Sequence, residues 1–316
     1  MLTVKEFAAR LREHKNILLL THCRPDADTV GSAAALCLGL RKSYKTAYVM
    51  KNPDLTPINA VYAEGLWAPD DFEPDCIVAV DIASRSMLPM NVGLYAERID
   101  LTVDHHPSQE FFAAETCLDP TAAACGEIVY EILQTMGVGL DQRMAEALYA
   151  AIATDTGCFL YSNVTTRTHH ITSKLLEEDF DFHAVNRRHF MQKSLARLRL
   201  EAHLTESLEL FDEGCTALMS LPLSVMEEIG ATENDADNIA SFVSTLQGVD
   251  CGALLRELKP GLWKVSLRSG KRVNATEVCA VFGGGGHAAA AGCMINGTLA
   301  EAKEQLLCAI GEVCHG

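Results

Sequence analysis

The sequence predicts an α/β protein: a mostly parallel sheet with helices on both faces, followed by a second, smaller α/β domain. Three observations carry this. Between residues 16 and about 160, short apolar runs alternate with longer segments whose apolar residues recur at helical spacing. Parallel neighbours need a crossover between them, so such alternation marks a sheet covered on its faces by helices. After Gly214 the alternation restarts with a different order of elements. Finally, acidic and imidazole side chains gather where the first domain's apolar runs end, the sheet edge at which ligands bind.

In chain order, residues 1–15 have the pattern of a charged amphipathic helix rather than an export signal. Ile17-Leu18-Leu19-Leu20 is too short for a membrane span and reads as the centre of a strand at 16–21. Residues 29–41, rich in Ala and Leu, form a helix, and 46–50, 76–81 and 99–103 are further strands. Residues 125–136 and 143–153 have helical spacing, and 183–211, with few breakers, reads as a connecting helix or pair of helices. The second domain then runs strand 216–221, helices 223–229 and 238–246, and strands 252–258 and 262–268. A helix at 275–282, a glycine loop, a strand at 289–295 and a helix from Leu299 complete it. The expected domains are therefore 1–185 and 213–316, joined by a helical linker at 186–212.

Composition narrows the function. A chain of 316 residues, 48% hydrophobic and 22% charged, is an ordinary globular protein of one large or two moderate domains. Twelve cysteines without a Cys-x-x-Cys pair fit free thiols in the cytoplasm and support neither a zinc ribbon nor a thioredoxin-type site. A net charge of −16 repels polyanions, which argues against tracking along long nucleic acid. Two stretches depart from it: Arg187, Arg188, Lys193, Arg197 and Arg199, then Arg256, Lys259, Lys264, Arg268, Lys271 and Arg272. Each alone reads as a solvated helix face or exposed hairpin; set against an acidic site they would hold a short phosphorylated ligand.

The chemistry starts at Asp104-His105-His106, which follows an apolar strand. As a tripeptide it is weak. Three other clusters complete it: His22-x-x-x-Asp26-x-Asp28 between a strand and a helix, Asp81 after Val78-Ala79-Val80, and Asp155 in Ala153-Thr154-Asp155-Thr156-Gly157. Pro25 keeps the first turn open by disfavouring helix at Arg24. Bland alternatives exist for each, a helix cap for one Asp of the first motif and ordinary turns for Asp81 and Asp155. One cap does not account for His22 and two carboxylates together. Carboxylates with imidazoles and no thiolate suit two divalent ions, Mn²⁺ first and Mg²⁺ second, and Cys23 is read as packing.

This set, in this order, resembles the DHH phosphoesterase family, and the resemblance covers nearly the whole chain. In the second domain it rests on Gly283-Gly284-Gly285-Gly286-His287 followed by Ala290-Ala291-Gly292, with Arg268-Ser269 upstream, which match the family's DHH-associated domain. The resemblance implies one ion on His22, Asp26 and Asp81, and another on Asp28, Asp81, His105 and Asp155, with Asp81 shared. It implies that His106 faces the substrate phosphate and that Asp104 orients the imidazoles. Two ions about 3.5–4 Å apart would activate a water for attack on phosphorus, so no protein nucleophile is needed.

The glycine run is either a flexible linker or a cradle for phosphate. It does not match the P-loop or dinucleotide patterns. The resemblance makes Arg268, Ser269, Gly284, Gly285, Gly286 and His287 substrate-binding residues, although Ala288 stands where many relatives carry Lys. It further implies the free-standing two-domain type, which hydrolyses very short RNAs and 3′-phosphoadenosine 5′-phosphate (pAp). A phosphodiesterase for cyclic di-AMP or linear pApA is the nearest alternative, with a RecJ-type exonuclease and a non-catalytic nucleotide binder behind it. The partners expected are short RNA or nucleotides, not long duplex or membrane, and a homodimer is left open.

Overall fold

The computed structural model describes residues 1–316 apart from Asn234, Asp237, Asn238, Lys271 and Gly316, so the expected helix start at Asn238 and the basic residue Lys271 lie outside the described residues. The chain divides into two units, Met1–Gln192 and Lys193–Gly316.

In the first unit, α1 (Val4–Glu13) begins at a capping box in which Thr3 and Glu6 satisfy each other's backbone N–H groups. The strands β1 (Asn16–Leu20), β2 (Thr46–Val49), β3 (Cys76–Val80), β4 (Leu101–Asp104) and β5 (Glu115–Leu118) form one sheet in the order β2-β1-β3-β4-β5. Every pairing is parallel, as the alternation predicts. Helices α2 (Ala27–Lys42), α4 (Cys125–Met136) and α5 (Gln142–Asp155) join α1 over one face; α6 (Thr166–Leu175) and α7 (Phe182–Asn186) add Ile171, Leu175 and Val185 to the same core, and a short α3 (Pro57–Ala60) follows β2. Alternate strand residues Ile17, Leu19, Val78, Val80, Leu101 and Val103 enter this larger core. The opposite face, with Leu18, Leu20, Ile77 and Ala79, has a thinner cover than expected. It consists of 3₁₀ turns at Arg85–Met87 and Met90–Glu97 and of loop residues such as Phe72 and Phe112, not of α-helices.

The second unit has a six-stranded mixed sheet. Its elements are α8 (Leu195–Glu206), β6 (Glu209–Phe211), β7 (Thr216–Leu221), α9 (Leu223–Ile229), β8 (Cys251–Lys259), β9 (Leu262–Ser269), α10 (Ala275–Ala280), β10 (Gly285–His287), β11 (Ala290–Asn296) and α11 (Leu299–His315). Their order across the sheet is β10-β11-β9-β8-β7-β6, antiparallel except for β7 with β8. The stretch 186–212, expected as a helical linker, divides between the units. A π-helical turn at Arg187–Met191 ends the first, and Ser194 caps α8, whose Leu200 and Leu204 are buried with Ala217 and Leu221 of the second. Residues 239–245, expected within a helix, form a 3₁₀ segment. Part of the glycine loop is itself a strand, β10. Strand β5 and helices α3 and α6 are additional to the elements expected.

Candidate metal centre

At the carboxyl edge of the parallel sheet, β1 delivers His22, β3 delivers Asp81, and β4 ends in Asp104 with His105 and His106 behind it. Helix α2 begins at Asp26 and Asp28, and α5 ends at Asp155. Three groups of side chains bring ligand atoms within 4.8 Å of one another: His22, Asp26 and Asp81; Asp28, His105 and Asp155; Asp81, His105 and His106. Asp81 belongs to two of them. His22 Nε2 lies 3.5 Å from Asp26 Oδ1 and 3.9 Å from Asp81 Oδ2. His105 Nε2 lies 3.2 Å from Asp155 Oδ2, 3.5 Å from Asp81 Oδ1 and 3.8 Å from Asp28 Oδ2.

Supporting contacts fix how each group points. His22 Nδ1–H donates to the Cys23 carbonyl at 2.8 Å and His105 Nδ1–H to that of Ala122 at 3.2 Å, which turns both Nε2 atoms toward the carboxylates. Asp28 is fully buried, and its two oxygens accept the Cys125 and Gly126 N–H groups at the start of α4 at 2.7 and 2.9 Å. Asp104 accepts His106 Nδ1–H at 2.7 Å as well as the N–H groups of His105 and His106. Its other oxygen takes Gln109 Nε2 at 2.5 Å, a partner that no sequence signal announced. Asp26 also does what the bland reading expected: its Oδ1 caps α2 through the N–H groups of Asp28 and Thr29. Backbone geometry adds a mark of its own, because Asp81 sits at φ 58°, a left-handed conformation that is rare and costly away from glycine.

Electrostatically the cluster asks for a cation. Burial, then the neighbouring Asp155, pushes Asp28 well above the usual carboxylate range. Burial and then Asp28 do the same to Asp81. For His105, burial opposes the imidazolium, but Asp155 and Asp28 outweigh it and raise the group to about 9. Protons here stand in for missing positive charge. Asp81 Oδ1 and His105 Nε2 are moreover buried without a hydrogen-bond partner. Two ligand atoms left without partners 3.5 Å apart suit a divalent ion, and the donor set, carboxylates with imidazole, suits Mn²⁺ or Mg²⁺.

In the second unit, β9 and β10 both flank β11, so Arg268 pairs with Ala290 and Ala290 with His287 in one row across the sheet. Ser269 Oγ donates to the Ala288 carbonyl at 2.9 Å. Arg268 and Ser269 line a cavity of about 320 Å³ with Ala289, Gly270 and Asp250, while Gly284, Gly285, Gly286 and His287 lie outside its lining. Gly286 adopts φ 147°, and a Cβ there would overlap Ala290 and Ala291. That position demands glycine. Four members of the basic stretches are paired with acids: Lys193 and Arg197 with Glu201 at 2.8 and 2.9 Å, Arg188 with Glu146 at 3.6 Å, and Arg256 with Glu233. Arg268 has no carboxylate partner among the described residues and donates to the Leu267 carbonyl. All twelve cysteines are free, and no described helix is long and apolar enough to cross a membrane.

Comparison with known proteins matches residues 16–152 to the DHH family, N-terminal domain, and residues 219–316 to the DHHA1 domain. The chain is 29% identical over 298 residues to the probable bifunctional oligoribonuclease and PAP phosphatase NrnA of Streptococcus mutans, covering 92% of this chain and 93% of that protein. It is likewise 29% identical to the bifunctional oligoribonuclease and PAP phosphatase NrnA of Thermus thermophilus, over 94% of this chain and 89% of that one. Among solved structures, an exopolyphosphatase-related protein from Bacteroides fragilis superposes with a TM-score of 0.86 at 23% identity, over 98% of this chain and 95% of that one, which speaks to the fold.

Proposed function

This chain is built of a DHH family N-terminal domain and a DHHA1 domain, and on that footing we propose that it is a metal-dependent phosphoesterase hydrolysing short oligoribonucleotides and pAp. The observation that carries the reading is the set of three overlapping ligand groups, linked to one another through Asp81 and His105. The two NrnA relatives, matched over nine-tenths of this chain, supply the substrate class.

His22, Asp26 and Asp81 would hold one divalent ion, and Asp28, Asp81, His105 and Asp155 the other. When bound, two such ions supply a water acidic enough to act as nucleophile near neutral pH, and positive charge for the phosphoryl oxygens. The chain's own residues do the positioning. The α4 amides hold Asp28 in one orientation, and the two backbone carbonyls fix the His22 and His105 tautomers. Asp104 is fully buried with its oxygens already engaged, so its task is to orient. It sets the His106 ring, whose remaining nitrogen we assign to the substrate phosphate. Arg268, Ser269, Gly284, Gly285, Gly286 and His287 are assigned the nucleotide contacts. The net charge of −16 favours ligands with few phosphates.

The test is a substrate panel: Mn²⁺-loaded protein with RNA of about 2 to about 24 nucleotides, pAp, pApA and cyclic di-AMP. Turnover should be fastest on pAp and the shortest RNAs, and fall steeply by roughly five nucleotides. Preference for cyclic di-AMP would move the assignment to a cyclic-dinucleotide phosphodiesterase, and equal rates on the longest RNA to a RecJ-type exonuclease.

A further inference from the structure

Immediately beyond Asp155 the backbone does something unusual. Gly157, Cys158 and Phe159 occupy left-handed conformations in succession, at φ 56°, 58° and 67°. Two of these are not glycine, and such strain persists only where the surroundings enforce it. Here they do. Thr156 Oγ accepts the Phe159 N–H at 3.2 Å, and the Thr156 carbonyl accepts those of Leu160 and Tyr161 at 2.9 and 3.0 Å. Asn163 Nδ2 closes the loop by donating to the carbonyls of Asp155 and Ala123, both at 3.1 Å. Phe159 turns inward, its ring stacked on His169 and tilted against Tyr149.

The outcome of that inward turn is that the next two side chains face out. Leu160 is 84% exposed and Tyr161 55% exposed. The Tyr161 ring lies directly against Gly157, where any Cβ would overlap three of its ring atoms. The hydroxyl-bearing end of an aromatic ring is thus seated on a glycine two residues from a candidate metal ligand, while the residue as a whole stays more than half exposed. Single exposed apolar residues are ordinary on protein surfaces. A strained, hydrogen-bonded loop that seats one of them on a glycine beside the candidate centre is not.

We propose that Tyr161, flanked by Leu160, is a nucleobase-stacking shelf: a base-binding subsite for the nucleoside attached to the phosphate at the metal centre. The inference rests on the nucleotide-phosphoesterase reading of that centre. Every base has a π-face, so a tyrosine shelf binds without choosing sequence, and an edge already fixed by Gly157 loses little freedom when the base arrives.

Two measurements test it, one without turnover. Binding of 2-aminopurine riboside 5′-monophosphate to the Mn²⁺-loaded protein is followed by quenching of the base's fluorescence. Tyr161→Ala should weaken binding roughly tenfold, about 1.4 kcal/mol, and remove most of the quenching. Tyr161→Phe should retain both. Tyr161→Leu, which keeps Gly157 covered but offers no π-face, should behave like the alanine variant. Unchanged affinity and quenching in Tyr161→Ala, or no binding of the nucleotide by the parent protein, overturns the shelf. The second measurement compares a dinucleotide with its abasic analogue: Tyr161→Ala should raise KM only for the former and leave kcat within about twofold. An equal KM rise on both substrates makes the residue structural and overturns the proposal. If the parent protein binds and quenches the nucleotide but hydrolyses no substrate, the shelf stands and the phosphoesterase reading falls.

Discussion

The two units offer a contrast in building material. In the first, the candidate site is made of side chains, seven potential ligands brought to one sheet edge from three strands and two helices, with buried carboxylates left short of positive charge. In the second, it is made largely of backbone, a glycine strand pressed against Ala290 and Ala291, with one arginine and one histidine beside it. The difference teaches that the first site is limited by charge and the second by space. Substitutions should therefore act on them in different ways.

The sharpest separation comes from Asp81→Asn. Removing the shared carboxylate should lower kcat at least ~10³-fold, about 4 kcal/mol, even with saturating Mn²⁺. The metal-free protein should meanwhile melt no lower than the parent, because a buried, uncompensated acid has been neutralised. Near-parental turnover would break the assignment of Asp81 as the shared ligand. Next in size is metal-linked stability. Mn²⁺ at about 100 times its dissociation constant should stabilise the parent by about 2.7 kcal/mol. Calorimetry should show that rise in melting temperature abolished by chelator and greatly reduced in Asp81→Asn; its absence from the parent denies a dedicated metal site.

Gly286→Ala, by contrast, should cost roughly 2 kcal/mol in urea denaturation, through strain and overlap, while leaving the Mn²⁺ increment intact. Loss of that increment would show the contrast between charge and space to be false. His287→Ala should raise KM for pAp about tenfold, about 1.4 kcal/mol, with kcat within about twofold. A matching loss in kcat would place His287 in the chemistry. The smallest effect belongs to the segment where the first unit ends. Burial, then Arg188, lowers His189 to about 4, and its Nε2 meets the Tyr62 hydroxyl at 2.7 Å. A histidine held neutral stabilises fully above its unfolded value near 6.5, and the contribution is lost as pH falls through about 4. Partial exposure reduces this to about 1 kcal/mol, and His189→Gln should flatten that part of the stability–pH curve, unlike substitutions in either site.

How legible each region was follows from the same contrast. The first unit's strands are short, fully apolar runs, and an aspartate at the end of such a run stands out, so His22, Asp81 and Asp104 to His106 could be placed on one edge from pattern alone. Gln109 could not, because its role depends on a buried oxygen of Asp104 that only the folded loop brings within reach. Strand β5 escaped because only Thr116 and Cys117 of its four residues are buried, while Glu115 turns out to Arg10. The strand inside the glycine run carries almost no side chains, so nothing in it shows a period of two. The break in 183–211 was marked by Ser194, a capping residue outweighed by helical spacing on either side. Part of each basic stretch is paired with acids that lie outside it, Arg188 with Glu146, Lys193 and Arg197 with Glu201, and Arg256 with Glu233, and only the fold shows which of these meet.

The order of the parallel sheet has a consequence for how the chain is made. β1 is synthesised first, β2 adds on one side of it, and β3, β4 and β5 then add in turn on the other, so each new strand meets an edge already waiting. Domains generally fold as units, N-terminal first, while the ribosome is still adding residues at roughly 5–20 per second. The ligands are delivered on the same schedule, from His22 through Asp81 and His105 to Asp155 at the end of α5. Half a site is an acidic pocket with too few donors to hold an ion. On the proposed ligand assignment, metal loading would follow the folding of the first unit, and the order in which the strands emerge would discourage scavenging of cations by an unfinished chain.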